Sequence, residues 1–234
     1  MLYERDYLLG LTEAEKQQYE EVTGRKFGEK RVSGFGRVNN FLAYPKAARM
    51  CKSLFPNNYL DVAELRDAER LAAANEEFFS LLSDEACTER SILNFIKDKK
   101  YYHIIGSIIW GLSINIGNHG VYLFPEFQLG NSYKADYLLM GKSSGGYEFI
   151  FIELESPYGN ITLKDGQLGA EFRDGISQLE DWKRWLPANY SSFGEVMRKH
   201  KNNALDLPEE FYVLDMSRFH YVVISGRRSD FQDK

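Results

Sequence analysis

Three carboxylates in this 234-residue chain stand where carboxylates should repel one another. In the run YEFIFIELE, residues 147–155, side chains alternate between the faces of a strand. Tyr147, Phe149, Phe151, Glu153 and Glu155 project to one face, and Ile150, Ile152 and Leu154 to the other. A strand apolar on both faces belongs at the centre of a covered sheet, yet two acids emerge together at its end. Partial burial makes their repulsion costlier, and a divalent cation compensates it most directly. A third acid, Asp136, begins the preceding run KADYLLM, and a meander would set it beside Glu153. Such hard oxygen donors suit Mg²⁺, which keeps several waters and takes one or two protein carboxylates together with phosphate oxygens. One or two ions could activate water and stabilise the leaving oxygen of a phosphodiester. The plainer alternative is a solvated strand end, since Pro157, Gly159 and Asn160 signal the surface just beyond Glu155.

The elements that must position these acids follow from periodicity. Residues 1–85 read as a mostly helical N-terminal appendage, and 86–234 as the domain that carries the acids. In the appendage, Thr12–Thr23 is a short helix with Thr12 and Glu15 at capping-box spacing. Residues 24–40 are Gly- and Arg-rich loop or hairpin, in which Gly34 and Gly36 read as turn residues. Residues 61–82 form an amphipathic helix on the spacing of Val62, Leu65, Ala68, Leu71, Ala72, Phe78 and Phe79. The second part gives a helix over Thr88–Lys97 with Ile92, Leu93 and Ile96 inward, continuing helically over 103–111. Strands follow over 121–129, 135–140 and 147–155, the last two joined by the loop GKSSGG. A helix over 169–186 is ended by Pro187, and a last strand covers 219–225. The order is helix, three strands, helix, strand: an α/β fold around a central mixed sheet.

The runs FPEFQLGNSYKADYLLM, FIFIELESP and GAEFRDGISQLEDWKRWL resemble the nuclease domain of the Shedu antiphage defence proteins, a branch of the PD-(D/E)XK, restriction-endonuclease-like superfamily. The resemblance spans about residues 88–228 and does not reach the appendage. It implies a bacterial defence endonuclease that cleaves double-stranded DNA with one or two Mg²⁺ ions, for which Mn²⁺ can substitute, and that assembles as a homo-oligomer. Asp136 matches the aspartate of the motif and Glu153 its (D/E) position. Gln178, one turn before Trp182, resembles the glutamine of the following helix, where it would orient substrate or a metal-bound water; a polar residue on a half-buried helix is the alternative. Glu89 matches the glutamate of the first helix, or is a capping or surface residue. Glu126 lines the site or lies outside it. The departure is at Glu155, where the motif has lysine. One restriction enzyme is similar in using glutamate there, so Glu155 would act as general base or second metal ligand. The alternative is a catalytically degenerate nuclease-fold module that binds nucleic acid or a protein partner.

Charge and composition remove other classes. A net charge of −5 excludes a uniformly basic nucleic-acid-binding module, but not an acidic enzyme with a local basic strip. Basic groups that would guide DNA are Lys97, Lys99 and Lys100, then Lys183 and Arg184, then Arg198, Lys199 and Lys201, then Arg227 and Arg228. Arg227 and Arg228, just past the last strand, are the favoured phosphate contacts. Cys51, Cys87 and four histidines give neither zinc spacing nor a disulfide framework. No nucleophile elbow or Cys/His arrangement supports a covalent hydrolase. The N-terminal run MLYERDYLLG interrupts its apolar residues with charges, and no run reaches the ~18 apolar residues of a membrane span. A cytoplasmic protein is expected, and the chain stops so soon after its last strand that a longer native protein is also expected.

Overall fold

The structure is a computed structural model that describes residues 2, 6–10, 12–24, 49, 53–60, 67–112, 114 and 120–228. The expectations for residues 24–40 (beyond Gly24 itself), 61–66 and Cys51 lie outside the described residues. In chain order the helices before the sheet are α1 (Glu13–Gly24), α2 (Ala68–Ser83), α3 (Glu89–Lys99) and the short α4 (His103–Gly106) and α5 (Ile108–Gly111). The sheet begins with β1 (Val121–Leu129), β2 (Tyr133–Ser143) and β3 (Gly146–Leu154). Helices α6 (Ala170–Ala188) and α7 (Tyr190–His200) then lead to β4 (Phe219–Ile224). No described helix is long and apolar enough to cross a membrane.

Helix starts follow their caps. Thr12 and Glu15 exchange hydrogen bonds across the first turn of α1, at 2.9 and 3.3 Å, as the capping-box spacing predicts. The Thr88 side chain accepts from the Ser91 N–H, and Ser91 reciprocates. Asp67 accepts from Arg70 to open α2. In α3, Ile92, Leu93 and Ile96 are buried on one face, the placement that their spacing predicts.

The four strands lie in the order β1-β2-β3-β4. The first three form an antiparallel meander, and β4 returns parallel to β3, Phe149 beside Phe219 and Leu154 beside Ile224. This mixed sheet has helices on both faces. Phe149 and Phe151 pack with Leu179, Trp182 and Leu186 of α6 and Phe193 and Met197 of α7. Ile150, Ile152 and Leu154 pack with Ile92, Leu93, Ile96, Tyr102 and Ile105. Strand β3 is therefore covered on both sides, as its two apolar faces require. Emptying one of its fully buried rings, Phe149→Ala or Phe151→Ala, would cost ~3–5 kcal/mol.

The described parts of the first 85 residues join these same cores. Phe55 is fully buried against Tyr122, Phe124 and Phe211. Tyr59 makes an isolated bridge to Tyr122 on β1, the Leu60 N–H donates to the Val121 carbonyl, and Asn58 Nδ2 donates to the Leu123 carbonyl.

Several boundaries differ from the sequence reading. Among the described residues the helix expected over 61–82 begins only at Ala68, where Asp67 caps it, and β2 begins at Tyr133 rather than at Ala135. Residues 141–146 are not a loop: Ser143 pairs with Gly146, so β2 and β3 join through Ser144 and Gly145 alone. Pro187 does not end α6, which runs to Ala188; so near the terminus, a missing N–H removes one hydrogen bond of the last turn. Helix α7 was not foreseen. Asn189 separates the two, donating from Nδ2 to the Trp185 carbonyl while its own carbonyl accepts from Ser192 and Phe193. The spacing of Tyr190, Phe193, Gly194 and Met197, all buried, carried the helical signal, but Pro187 and the Ser191–Ser192 pair read as loop.

Candidate acidic site at the end of the central strand

The pairing of β2 with β3 ends at Tyr137 and Ile152. One step further along the same register, Asp136 faces Glu153. There the ladder opens, and the Leu154 N–H, left without a backbone acceptor on β2, donates instead to Asp136 Oδ2 at 2.8 Å. The opening has a visible cause in the pleat. Phe124 and Phe127 both face the α6–α7 side, as do Ala135 and Leu138, so alternation breaks in both strands between these residues. Glu126 takes up the break with φ of +50°, a conformation that costs a non-glycine residue roughly 1–3 kcal/mol and is found preferentially at functional sites. Asp136 and Tyr137 consequently both line a cleft on the α3 side.

The three acids named from sequence share one electrostatic problem. Glu153 is 7 % exposed, and its Oε2 is buried without a hydrogen-bond partner. Burial first, then the charges of Asp136 and Glu155, push its carboxyl up to about 8. Glu155 is half-buried; burial, followed by Glu89, Asp174, Asp136 and Glu171, pushes it up to about 7. Asp136 is raised to about 6, again chiefly by burial, with the Leu154 N–H opposing and Glu89 adding to the rise. Helix α6 approaches closely at Gly175, where a Cβ would stand 2.9 Å from both Glu155 Oε1 and Val223 Cγ1. A mid-helix glycine costs about 1 kcal/mol relative to alanine; here it lets the glutamate lie against the helix.

A bound cation would reverse this cost, because it turns mutual repulsion into shared attraction. The donor set fits Mg²⁺ chemically: hard carboxylate oxygens, one of them orphaned. Among the described residues no group of three or more His, Cys, Asp or Glu side chains is placed to hold a metal ion by itself. Mg²⁺ does not demand one, since water and phosphate complete its shell.

The remaining expected residues are placed as follows. Glu89 is in the first turn of α3, half-buried. Its partner in capping would have been Thr88, but Ser91 fills that role, and the Glu89 charge bears on all three acids. Glu126 lines the cleft with Asp136 and pairs with Lys134 at 2.8 Å. Gln178 is exposed on α6, one turn beyond Gly175, with no hydrogen bond to the acids. Lys183 pairs with Glu180 and lies over the Tyr221 ring, and Arg184 pairs with Asp181. Arg227 donates to the Leu82 carbonyl at 2.8 Å and to the Tyr158 hydroxyl at 2.7 Å; Arg228 is exposed. Sequence reasoning missed Glu171 and Asp174 as members of the acidic field. Their spacing of three on the first turns of α6 puts both on one face, a signal that was there to read.

A family model described as "Shedu protein SduA, C-terminal" matches residues 86–234. No curated protein and no solved structure matches the chain.

Proposed function

The chain belongs to the Shedu SduA C-terminal family, and from that premise we propose that it is an Mg²⁺-dependent endonuclease of the PD-(D/E)XK type, acting on double-stranded DNA in antiphage defence. The observation that carries the reading is the unpartnered, buried Oε2 of Glu153 in a field of carboxylates. A protein that gains nothing from such an oxygen would be expected to pair or replace it.

In this reading Asp136 and Glu153 hold the metal, with Glu155 as a further ligand or as the base. The metal supplies Lewis-acid stabilisation of the phosphate and of an activated water. Asp136 is oriented for its part by the Leu154 N–H, which fixes one oxygen and leaves the other to ligate. Glu155, raised toward neutrality, is suited to accept a proton from the attacking water. Gly175 leaves room for that carboxylate against α6. Gln178, Arg228, Lys183 and Arg184 would meet DNA further out, and a homo-oligomer would present more than one such site to it. Arg227, by contrast, already ties Leu82 to Tyr158, so its part in DNA binding would require a contact in addition to these.

One observation favours a second reading, a nuclease-fold module that binds without cutting. The strongest charges acting on Glu153 are all negative, with glutamate at 155 where the motif's lysine would stand. Incubation of supercoiled plasmid with Mg²⁺ or with chelator decides between them. Metal-dependent nicking or linearisation is expected; DNA binding with no cleavage under any divalent ion would select the module instead.

A further inference from the structure

A cleft of about 280 Å³ opens beside Asp136, between α3 and the kinked stretch of β1 and β2. Arg90, Asn94 and Lys97 line it from the helix, Leu93 and Tyr102 are buried beneath, and Glu126 stands at the rim. Residues 90, 94 and 97 are spaced by four and three, so they share one face of α3. All three are exposed on the helix. Seven residues of helix separate Arg90 from Lys97 by roughly 10 Å along the axis, and Glu89 of the same helix reaches the acidic field at its near end.

Several neighbouring cations are held by acids of their own. Lys134 is taken by Glu126, Lys99 by Glu77, Lys183 by Glu180 and Arg184 by Asp181. Arg90 and Lys97 take part in no salt bridge among the described residues, although both lie near enough to influence Glu126. With Lys134 already answering Glu126, Arg90 and Lys97 set two positive charges beside Asp136, the remaining acid of the cleft. Its volume falls just below the ~300–1,000 Å³ of pockets that enclose whole small molecules. That size suits one unit of a polymer that continues outside.

We propose that this cleft seats a DNA backbone phosphate next to the one that is cleaved, held by Arg90, Asn94 and Lys97. The inference rests on the nuclease reading and adds the path of the strand: along α3, away from Glu89. Arg90 and Lys97 neutralise the phosphate, Asn94 donates a hydrogen bond to it, and the kink at Glu126 keeps β1 clear of it.

The test uses the full chain carrying Glu153→Gln, a 20-base-pair duplex and chelator, with affinity measured across salt concentrations. Adding Arg90→Ala and Lys97→Ala should flatten the slope of log affinity against log salt by roughly one to two. In the otherwise unaltered chain with Mg²⁺, the same pair should raise KM for DNA and leave kcat within about twofold. Should the double alanine variant melt lower, Arg90→Gln with Lys97→Gln keeps most of the apolar stems and gives the same readings. An unchanged slope in a folded variant overturns the seat, as does a fall in kcat at constant KM. Undiminished cleavage by Glu153→Gln would remove that residue from the site, and no cleavage by the unaltered chain under any divalent ion would sink the nuclease reading, while the slope still judges the seat. Failure of the chain to bind the duplex at all would remove both.

Discussion

Glu148 and Glu153 lie on the same strand, and the fold surrounds them in opposite ways. Glu148 is met by His220 Nε2 at 3.0 Å and by Arg218 Nη1 at 3.5 Å. Arg218 also donates to the Gly145 and Tyr147 carbonyls, fastening the β2–β3 turn. Glu153 is more deeply buried, and the groups that bear on it most are Asp136 and Glu155. The chain can thus deliver a cation to a glutamate of β3 where the role is structural. At the other end of the strand it delivers acids. Burying charge without compensation costs stability, and a site that retains this cost is poised to recover it from a ligand.

The comparison breaks most sharply on activity. Asp136→Asn and Glu153→Gln are each expected to lower Mg²⁺-dependent cleavage by at least the ~10²- to 10⁴-fold typical of a lost acid–base group, while Glu148→Gln stays within about twofold of wild type. Steady-state rates on plasmid DNA check this, with melting curves to show that each variant is folded. Cleavage falling equally in all three would erase the distinction between the ends.

Glu155 comes next. Glu155→Ala should cost a further ~10²- to 10⁴-fold if the residue is base or ligand, and should shrink the rise in melting temperature on adding Mg²⁺. Glu155→Lys restores the motif's charge; it will support cleavage only if the space beside Gly175 admits the longer side chain. Equal rates and equal metal response in both variants would make Glu155 a solvated strand end.

The pH dependence of the metal-free protein sharpens the same contrast. Asp136 and Glu153 are held at about 6 and about 8 in the fold, above the ~4 of free carboxylates. Between those limits the native state keeps protons that the unfolded chain has released, so stability is greatest near pH 4–5 and is lost as pH rises through 6 and 8. A fall on the order of 5 kcal/mol between pH 5 and 8, or roughly 10–20 °C, is expected in chelator. Mg²⁺ should flatten it. A metal-free melting temperature that rises over this range would contradict the assigned burial cost.

The smallest effect is a difference of sign. At pH 8 without metal, Glu153→Gln should leave the protein as stable or more so, whereas Glu148→Gln should cost ~1 kcal/mol by weakening its contacts to Arg218 and His220. Urea unfolding resolves changes of that size.

Much of this arrangement was legible in the sequence because strand pleat and apolar pattern are local. YEFIFIELE alone placed β3 at the sheet centre, and a meander sufficed to bring Asp136 to Glu153. The kink at Glu126 was not legible: nothing in FPEFQL marks a left-handed residue, which arises from how β1 and β2 jointly part over α3. Nor could spacing tell that Arg227 is engaged by Leu82 and Tyr158, since those partners lie far away in sequence. The unpaired state of Arg90 and Lys97 was hidden likewise, because whether a cation is free depends on which acids the fold brings near it.

Tyr59 and Leu60 precede residue 86, where the family match begins, yet they fasten onto the outer margin of β1. The stretch that evolution marks as a family and the stretch that folds as a body therefore need not coincide. A fragment starting at residue 86 would bare the start of β1, at Val121, Tyr122 and Leu123, and leave a hollow where Phe55 belongs. A margin of that kind is a template for runaway self-association. For this chain, a truncation that yields inclusion bodies would speak of lost upholstery rather than of lost chemistry.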